Sequence, residues 1–140
     1  MLRLGRRFRF SASHRLHAPS LSEERNKEVF GKCNNPFGHG HDYILEVMLR
    51  GEADPETGLL VALSRLDEFV RVTVLSDFDH SYLNEEVPAF RETPPTTENL
   101  AVEILKRLRD GWGSQMPARA KLEGVRIHET RRNIVELRAH

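Results

Sequence analysis

The sequence predicts an α+β fold in which an antiparallel four-stranded sheet carries two helices on one face, in the order β-β-α-α-β-β. Two observations predict this fold. Segments in which apolar and polar residues alternate occur before Glu52 and again after Gly124, and two segments with apolar residues at helical spacing lie between them. The chain of 140 residues is long enough to bury one core, so we predict a single domain over residues 1–140.

Apolar residues at every second position, that is, of one parity, indicate the two N-terminal strands. Phe8, Phe10, Ala12 and His14 occupy alternate positions, so on a strand they face the same side. A second strand is predicted from about His41 to Gly51, again with alternate residues apolar. Because the first strand ends in a histidine on its apolar side, it delivers that imidazole toward the interior.

The prediction also has a short helix between these two strands and a longer amphipathic helix after them. Ser20 and Glu23 have the spacing of a capping box, which indicates a short helix near Leu21–Val29, between the strands. After a turn-rich segment, an amphipathic helix is predicted to end at about Leu75, with these apolar residues at helical spacing: Leu63, Leu66, Val70 and Val74.

The C-terminal part is predicted to hold the second long helix and two strands. Thr96 or Thr97 is the predicted N-cap of the helix and Gly111 its predicted stop. The apolar stripe of this helix comprises Leu100, Ala101, Ile104, Leu105 and Leu108. One strand carries Val125, Ile127 and Glu129 on one parity, and the last strand is predicted over Ile134–Arg138.

Composition and charge exclude several classes of function. The 21 basic and 21 acidic side chains cancel, so no net field attracts the chain to nucleic acid or to an anionic membrane. No apolar run has the length of a signal peptide or of a transmembrane helix. A single cysteine cannot form an internal disulfide and favours a reducing compartment, so we expect a cytoplasmic protein.

Three histidines form a candidate metal site. His39 and His41 are two positions apart and would point the same way from one strand, while His14 ends the strand before them. Three neutral imidazoles suit zinc, and three histidines with an open position are typical of catalytic zinc rather than structural zinc. The alternative for each histidine taken alone is a hydrogen-bonded core residue.

Three further residues could carry chemistry. Cys33, six residues before His39, is either a fourth ligand, a reactive thiol beside Lys32 or a small buried side chain. Asp79 and His80 could form a pair in which the carboxylate orients the imidazole, or could simply belong to a turn.

Glu129 is unusual because a carboxylate on the apolar parity of a strand requires a partner. A ligand that carries adjacent N–H donors would satisfy this carboxylate, and an arginine such as Arg131 or Arg132 would do so equally well.

Six motifs occur along the chain from Phe10 to about Leu137. They are FSASHRL (Phe10–Leu16), FGKCNNPFGHGHDY (Phe30–Tyr43), DPETG (Asp54–Gly58), DHSYLN (Asp79–Asn84), TTENLAV (Thr96–Val102) and ET (Glu129–Thr130). In these motifs and their order the sequence resembles the 6-pyruvoyl-tetrahydropterin synthase family. The block that contains Cys33 is the most specific of the six.

The resemblance implies a lyase that eliminates triphosphate from 7,8-dihydroneopterin triphosphate to give 6-pyruvoyl-tetrahydropterin. By resemblance, zinc is held by His14, His39 and His41 and polarises the hydroxylated side chain of the substrate. The remaining implied roles are a base for Cys33, a second proton-transfer pair for Asp79 and His80, and pterin binding for Glu129, Thr96 and Thr97.

The resemblance also implies a fold, an assembly and an alternative product. The family fold is the T-fold, whose trimers close four-stranded sheets into a barrel and stack in pairs, so a homohexamer with active sites between subunits is expected. A related enzyme, 6-carboxytetrahydropterin synthase, takes the same substrate, releases acetaldehyde and serves queuosine synthesis. A zinc-stabilised binding module without turnover is the alternative of a different class, and four protein ligands would characterise it.

Overall fold

Four long strands form the antiparallel sheet that the sequence predicts, in a computed structural model that describes residues 1–139. The strands are β1 (Leu2–His14), β2 (His39–Gly51), β3 (Ser81–Tyr82), β4 (Ala120–His128) and β5 (Ile134–Arg138). Their order in the sheet is β3-β1-β2-β4-β5. The fifth strand, β3, is an addition to the prediction: its two residues pair in parallel with Ala12 and Ser13 of β1.

Five helices connect these strands. They are α1 (Glu23–Phe30), α2 (Leu63–Val70), α3 (Ser76–Phe78), α4 (Leu83–Glu86) and α5 (Thr97–Gln115). A π turn over Arg71–Leu75 joins α2 to α3, so the helix predicted to end at Leu75 continues to Phe78. Short 3₁₀ turns cover Gly31–Asn34 and Pro88–Phe90.

Two further helix boundaries differ from the prediction. The side chain of Ser22, rather than Ser20, caps α1 by accepting from the amide of Arg25 at 3.1 Å. Asn26 explains the shift, because its side-chain amide donates to the carbonyl of Ala18 at 3.1 Å and so holds the preceding turn outside the helix.

Gly111 does not end α5, which continues because Trp112 is buried and donates from Nε1 to the carbonyl of Ala120 at 2.9 Å. Gly111 instead allows close packing, since a Cβ there would lie 2.9 Å from the ring of Phe69. The prediction of a threonine cap was confirmed: Thr96 Oγ1 accepts from the amide of Asn99 at 3.1 Å.

The core lies between one face of the sheet and the helices. β2 contributes four fully buried side chains, Tyr43, Leu45, Val47 and Leu49, and α5 contributes its predicted apolar stripe. The opposite face of the sheet is polar. There Glu46, only 9% exposed, accepts from Arg7 Nε at 2.8 Å and lies 3.2 Å from Nε2 of His128. Within residues 1–139 no helix combines the length and the apolar character needed to cross a membrane.

Candidate active site

The β1–β2 ladder brings the three predicted metal histidines together. His14 pairs with His39 across the ladder, and Ala12 pairs with His41, so the three imidazoles emerge on the core face where the two strands meet. The ring centroids of His14 and His41 are 5.0 Å apart, those of His39 and His41 are 4.6 Å apart, and those of His14 and His39 are 6.5 Å apart. The strand pairing alone therefore assembles a cluster of three imidazoles.

The ring of His14 is fixed by its surroundings. The side chain is fully buried, and Nδ1 lies 2.9 Å from the carbonyl oxygen of Pro95 and 3.2 Å from the hydroxyl of Tyr43. Because a carbonyl can only accept, Nδ1 carries the proton and Nε2 keeps its lone pair.

Two imidazole nitrogens of the cluster are suited to a metal ion. Within the described residues, Nε2 of His14 and Nε2 of His41 are buried and have no hydrogen-bond partner. Burial lowers the pKa of His14 and the pKa of His41, so both rings are neutral near pH 7. Buried nitrogens without partners are rare in folded proteins, and a bound metal ion would satisfy both of them.

Cys33 lies beside these imidazoles. The thiol of Cys33 and one ring nitrogen each from His14 and His41 all lie within 4.8 Å of one another, so this His/Cys/His group could bind a metal. The backbone of Cys33 is held by the amide of Leu16, which donates to its carbonyl at 2.7 Å. Burial, together with the negative charge of Glu129, raises the pKa of the Cys33 thiol. The geometry therefore leaves both sequence-based interpretations of Cys33, a ligand or a base, available.

Glu129 lies immediately after β4, at the same end of the sheet. Its Oε2 accepts from the hydroxyl of Thr97 at 2.7 Å, and its Oε1 accepts from the side-chain amide of Asn133 at 3.3 Å. Burial raises the pKa of Glu129, but the hydrogen bonds from Thr97 and Asn133, together with the nearby imidazoles of His41 and His14, lower it overall, so the group is an anion at neutral pH. Neither arginine of the following turn is its partner within the described residues.

Thr96 and Thr97 have different local roles beside this carboxylate. Thr97 is buried and holds Glu129, whereas the hydroxyl of Thr96 is already used as the N-cap of α5. Since Pro95 precedes these threonines and contacts His14, the start of α5 links the imidazole cluster to the carboxylate.

The Asp79–His80 pair lies at the edge of the sheet, against β1. The amide of Ser11 donates to Asp79 Oδ1 at 2.9 Å, and the amide of His80 donates to the carbonyl of Ser11 at 2.6 Å. His80 has a left-handed backbone, with φ 58°, which costs an L-residue about 1–2 kcal/mol. The imidazole Nε2 lies 3.6 Å from Asp79 Oδ2, and the His80 side chain is 83% exposed.

This pair does not face the thiol of the same chain. His80 lines an open depression of about 360 Å³ together with Ser11, Ser13 and Asp42, whose side chains project from the polar face of the sheet. His14 and His41 project from the core face, because residues of opposite parity on a strand point to opposite faces. Within a single chain, His80 therefore lies on the polar side of the sheet, whereas Cys33 lies beside the imidazoles on the core side.

A cleft with two lysines opens beside His39. Lys27, Lys32 and His39 line a space of about 380 Å³ together with Asn34, Asn35 and Pro36. Among residues 1–139, no carboxylate lines this cleft. The cleft is therefore a cationic surface that adjoins the imidazole cluster.

Several residues that shape the site were not predicted from the sequence. Tyr43 and Pro95 orient His14, and Asn133 holds Glu129. Asn34 donates to the carbonyl of Leu16 at 2.7 Å and thereby anchors the turn that carries Cys33. In the sequence, only the position of Asn34 next to Cys33 indicates that Asn34 anchors this turn.

Comparisons with known proteins agree over nearly the whole chain. A family model described as 6-pyruvoyl tetrahydropterin synthase matches residues 3–140. The 6-pyruvoyl tetrahydrobiopterin synthase of Poecilia reticulata is 48% identical over 129 residues, which cover 92% of this chain and 84% of the relative. The human protein of that name is 42% identical over 132 residues, which cover 94% and 88%.

A solved structure agrees as well. The structure of Caenorhabditis elegans 6-pyruvoyl tetrahydropterin synthase superposes with a TM-score of 0.89 at 40% identity and covers 99% of this chain and 96% of its own.

Proposed function

Because the chain belongs to the 6-pyruvoyl tetrahydropterin synthase family, we propose that it is a lyase that converts 7,8-dihydroneopterin triphosphate to 6-pyruvoyl-tetrahydropterin and triphosphate. One observation carries the proposal at the level of chemistry: His14 and His41 each have a buried, unpartnered Nε2, and one ring nitrogen of each imidazole lies within 4.8 Å of the thiol of Cys33. The reaction needs no external oxidant, because the pterin ring is reduced while the side chain is oxidised.

Zinc is the metal that these residues fit best, and His14, His39 and His41 would hold it. The neutral nitrogens of His14 and His41, the ring of His14 oriented by Pro95 and the absence of a second cysteine all favour zinc bound by three histidines with one open position. When bound, zinc supplies a Lewis acid that polarises the side-chain hydroxyl oxygens and acidifies the adjacent C–H bonds.

Cys33 is the proposed base. It would accept a proton from a side-chain carbon of the substrate, while the triphosphate departs with the electron pair of its C–O bond. Deprotonation of the thiol requires positive charge nearby to offset burial and the charge of Glu129, and Lys32 is adjacent in the sequence.

Glu129 is the proposed anchor for the pterin ring. Thr97 and Asn133 each use one of its carboxylate lone pairs, and an ionised carboxylate offers about four acceptor sites. Two sites therefore remain for adjacent N–H groups of a pterin, and charge-assisted bonds of this kind are stronger than neutral ones. Thr96 and Thr97 would complete the wall beside it.

The triphosphate would occupy the cationic cleft. Lys27 and Lys32 line it next to His39, so a substrate whose side chain reaches the imidazoles would direct its phosphates there. Arg15 is a weaker candidate, because its Nε donates to the carbonyl of Asn34 at 3.3 Å.

We also propose that residues 1–140 form one domain that assembles as a cytoplasmic homohexamer, a dimer of trimers, with composite active sites. Both edges of the sheet support this, since within residues 1–139 β5 has no outer neighbour and β3 covers only the end of β1. The placement of Cys33 and His80 on opposite sides of the sheet supports composite sites, in which His80 reaches the thiol of another subunit.

Incubation of the purified protein with 7,8-dihydroneopterin triphosphate, with and without a chelator, tests the function. Mass analysis should find 6-pyruvoyl-tetrahydropterin in the zinc-loaded sample and little product after chelation. Release of acetaldehyde would instead identify the activity of 6-carboxytetrahydropterin synthase. The relatives at 42–48% identity do not favour this activity. Zinc-loaded protein without turnover would contradict the proposal and support a binding module.

A further inference from the structure

The helix that precedes Asp79 contains one extra residue. The amide of Ser76 donates to the carbonyl of Arg71, five positions earlier, which defines the π turn between α2 and α3. One residue corresponds to about 100° of rotation about a helix axis. The π turn therefore decides which way Phe78 and Asp79 leave the end of the helix.

Two side chains support this turn. The hydroxyl of Ser76 donates to the carbonyl of Val72 at 2.9 Å, and the guanidinium of Arg107, from α5, donates to the carbonyl of Thr73 at 3.3 Å. Ser76 lies within the same helix, whereas Arg107 fixes the turn relative to the core helix.

Arg107 also contacts the residues that follow the turn. Its guanidinium donates to Asp77 Oδ2 at 2.6 Å and lies 5.1 Å from the centre of the Phe78 ring. The side chain is only 21% exposed, and Glu103 holds its Nε at 3.4 Å. One cation thus contacts the π turn itself and the two residues that precede Asp79.

The pair beyond Phe78 needs such support because its backbone is strained. Phe78 is fully buried, with its ring edge-on to Phe10, and the next two residues bond to Ser11 of β1. His80 then adopts φ 58°. A strained residue of this kind persists only where its surroundings hold it in place.

We propose that Arg107 is a positioning residue that holds the π turn and thereby directs Asp79 and His80 toward the active site of a neighbouring subunit. The inference rests on the proposed function for the role of the pair, and on the contacts above for its geometry. Arg107 does not touch substrate and acts only through the turn.

Hydrogen exchange in the metal-free protein tests the geometry without any need for turnover. In Arg107→Met, the amides of Ser11 and His80 should lose protection by about tenfold or more, while amides of the β1–β2 ladder stay protected. Arg65→Met is the matched control, because Arg65 joins α2 to α5, through the carbonyl of Gln115 at 2.8 Å, without contacting the turn. Equal loss over all amides, or unchanged protection at Ser11 and His80, would overturn the proposal.

Kinetics test the consequence for the reaction. We expect Arg107→Met to lower kcat by about tenfold to 100-fold with little change in KM, because misplaced catalytic groups slow chemistry while Glu129 still binds the pterin. Arg107→Lys should recover part of kcat. If Arg107→Met does not fold, Ser76→Ala replaces it in the test: it removes the bond from the Ser76 hydroxyl to the turn and should lower kcat by less than about tenfold. A kcat equal to that of Arg65→Met would refute the role. If the wild type shows no turnover, the proposed function fails. Hydrogen exchange still tests whether Arg107 holds the backbone of Asp79 and His80 against Ser11.

Discussion

Two alanine variants, His39→Ala and Cys33→Ala, test which residue is the third metal ligand beside His14 and His41. The thiol of Cys33, rather than His39, lies within 4.8 Å of the ring nitrogens of both His14 and His41, so proximity alone makes Cys33 the third ligand. The proposed chemistry assigns that role to His39, which shares a strand with His41 and pairs with His14. The two variants separate these alternatives.

The expected magnitude follows from ligand linkage. Zinc at about 100 times its Kd stabilises the folded state by about 2.7 kcal/mol. An unfolding entropy of about 2.1 cal/mol/K per residue gives about 0.3 kcal/mol/K for 140 residues, so Tm should rise by about 9 °C. A variant that binds about 100-fold more weakly keeps about 0.4 kcal/mol at the same zinc concentration, or about 1 °C.

The assay is thermal unfolding at fixed protein concentration, after chelation and after addition of zinc. We expect a rise of about 9 °C for the wild type and Cys33→Ala and about 1 °C for His39→Ala. Cys33→Ala should also keep the oligomer and lose most turnover. His128→Ala, which removes an imidazole from the polar face, serves as the control and should keep the full zinc effect. A zinc effect lost in Cys33→Ala and kept in His39→Ala would refute the three-histidine site.

Three further predictions concern strain, charge and substrate binding. His80→Gly should be more stable than His80→Ala by about 1 kcal/mol in thermal melts, since glycine adopts the left-handed φ without a Cβ penalty, and both variants should lose turnover. Burial raises the pKa of Glu46, but its bonds to His128 and Arg7 lower it overall, so its stabilising effect is present above the unfolded pKa of 4.5 and is lost as the pH falls through the lower folded value. The urea midpoint of Glu46→Gln should therefore fall below that of the wild type at pH 7, and the gap should shrink as the pH is lowered below 4.5; a gap that stays the same in acid would contradict this. Glu129→Ala should weaken binding of a pterin analogue by about tenfold or more in a calorimetric titration and leave zinc content unchanged, and unchanged affinity would remove Glu129 from the pterin site.

Parity and helical spacing predicted most of the fold, because burial on one face imposes a period on the sequence. The predicted last strand, Ile134–Arg138, matches β5, and Thr96 caps α5 as expected. The start of β1 was not predicted because that part of the strand mixes arginines with its apolar residues. β3 could not be predicted, because two residues carry no period.

The site was predictable where it depends on one strand and not where it depends on contacts between distant segments. The spacing of His39 and His41 indicates a shared direction, and the ladder to His14 completes the cluster. The π turn is not visible in the sequence, because Leu66, Val70, Val74 and Phe78 are buried at a constant spacing of four, which an unbroken helix also shows. The face occupied by His80 depends on the bonds to Ser11, which no local pattern encodes.

The separation of the thiol and the strained histidine by the sheet has a consequence for inheritance. If every working centre draws these two groups from different copies, two defective alleles, one lacking Cys33 and one lacking His80, complement each other when expressed together. Random mixing of equal amounts leaves about a quarter of the centres intact, although neither allele alone encodes any. A carrier of both alleles would then differ from a carrier of two copies of either one.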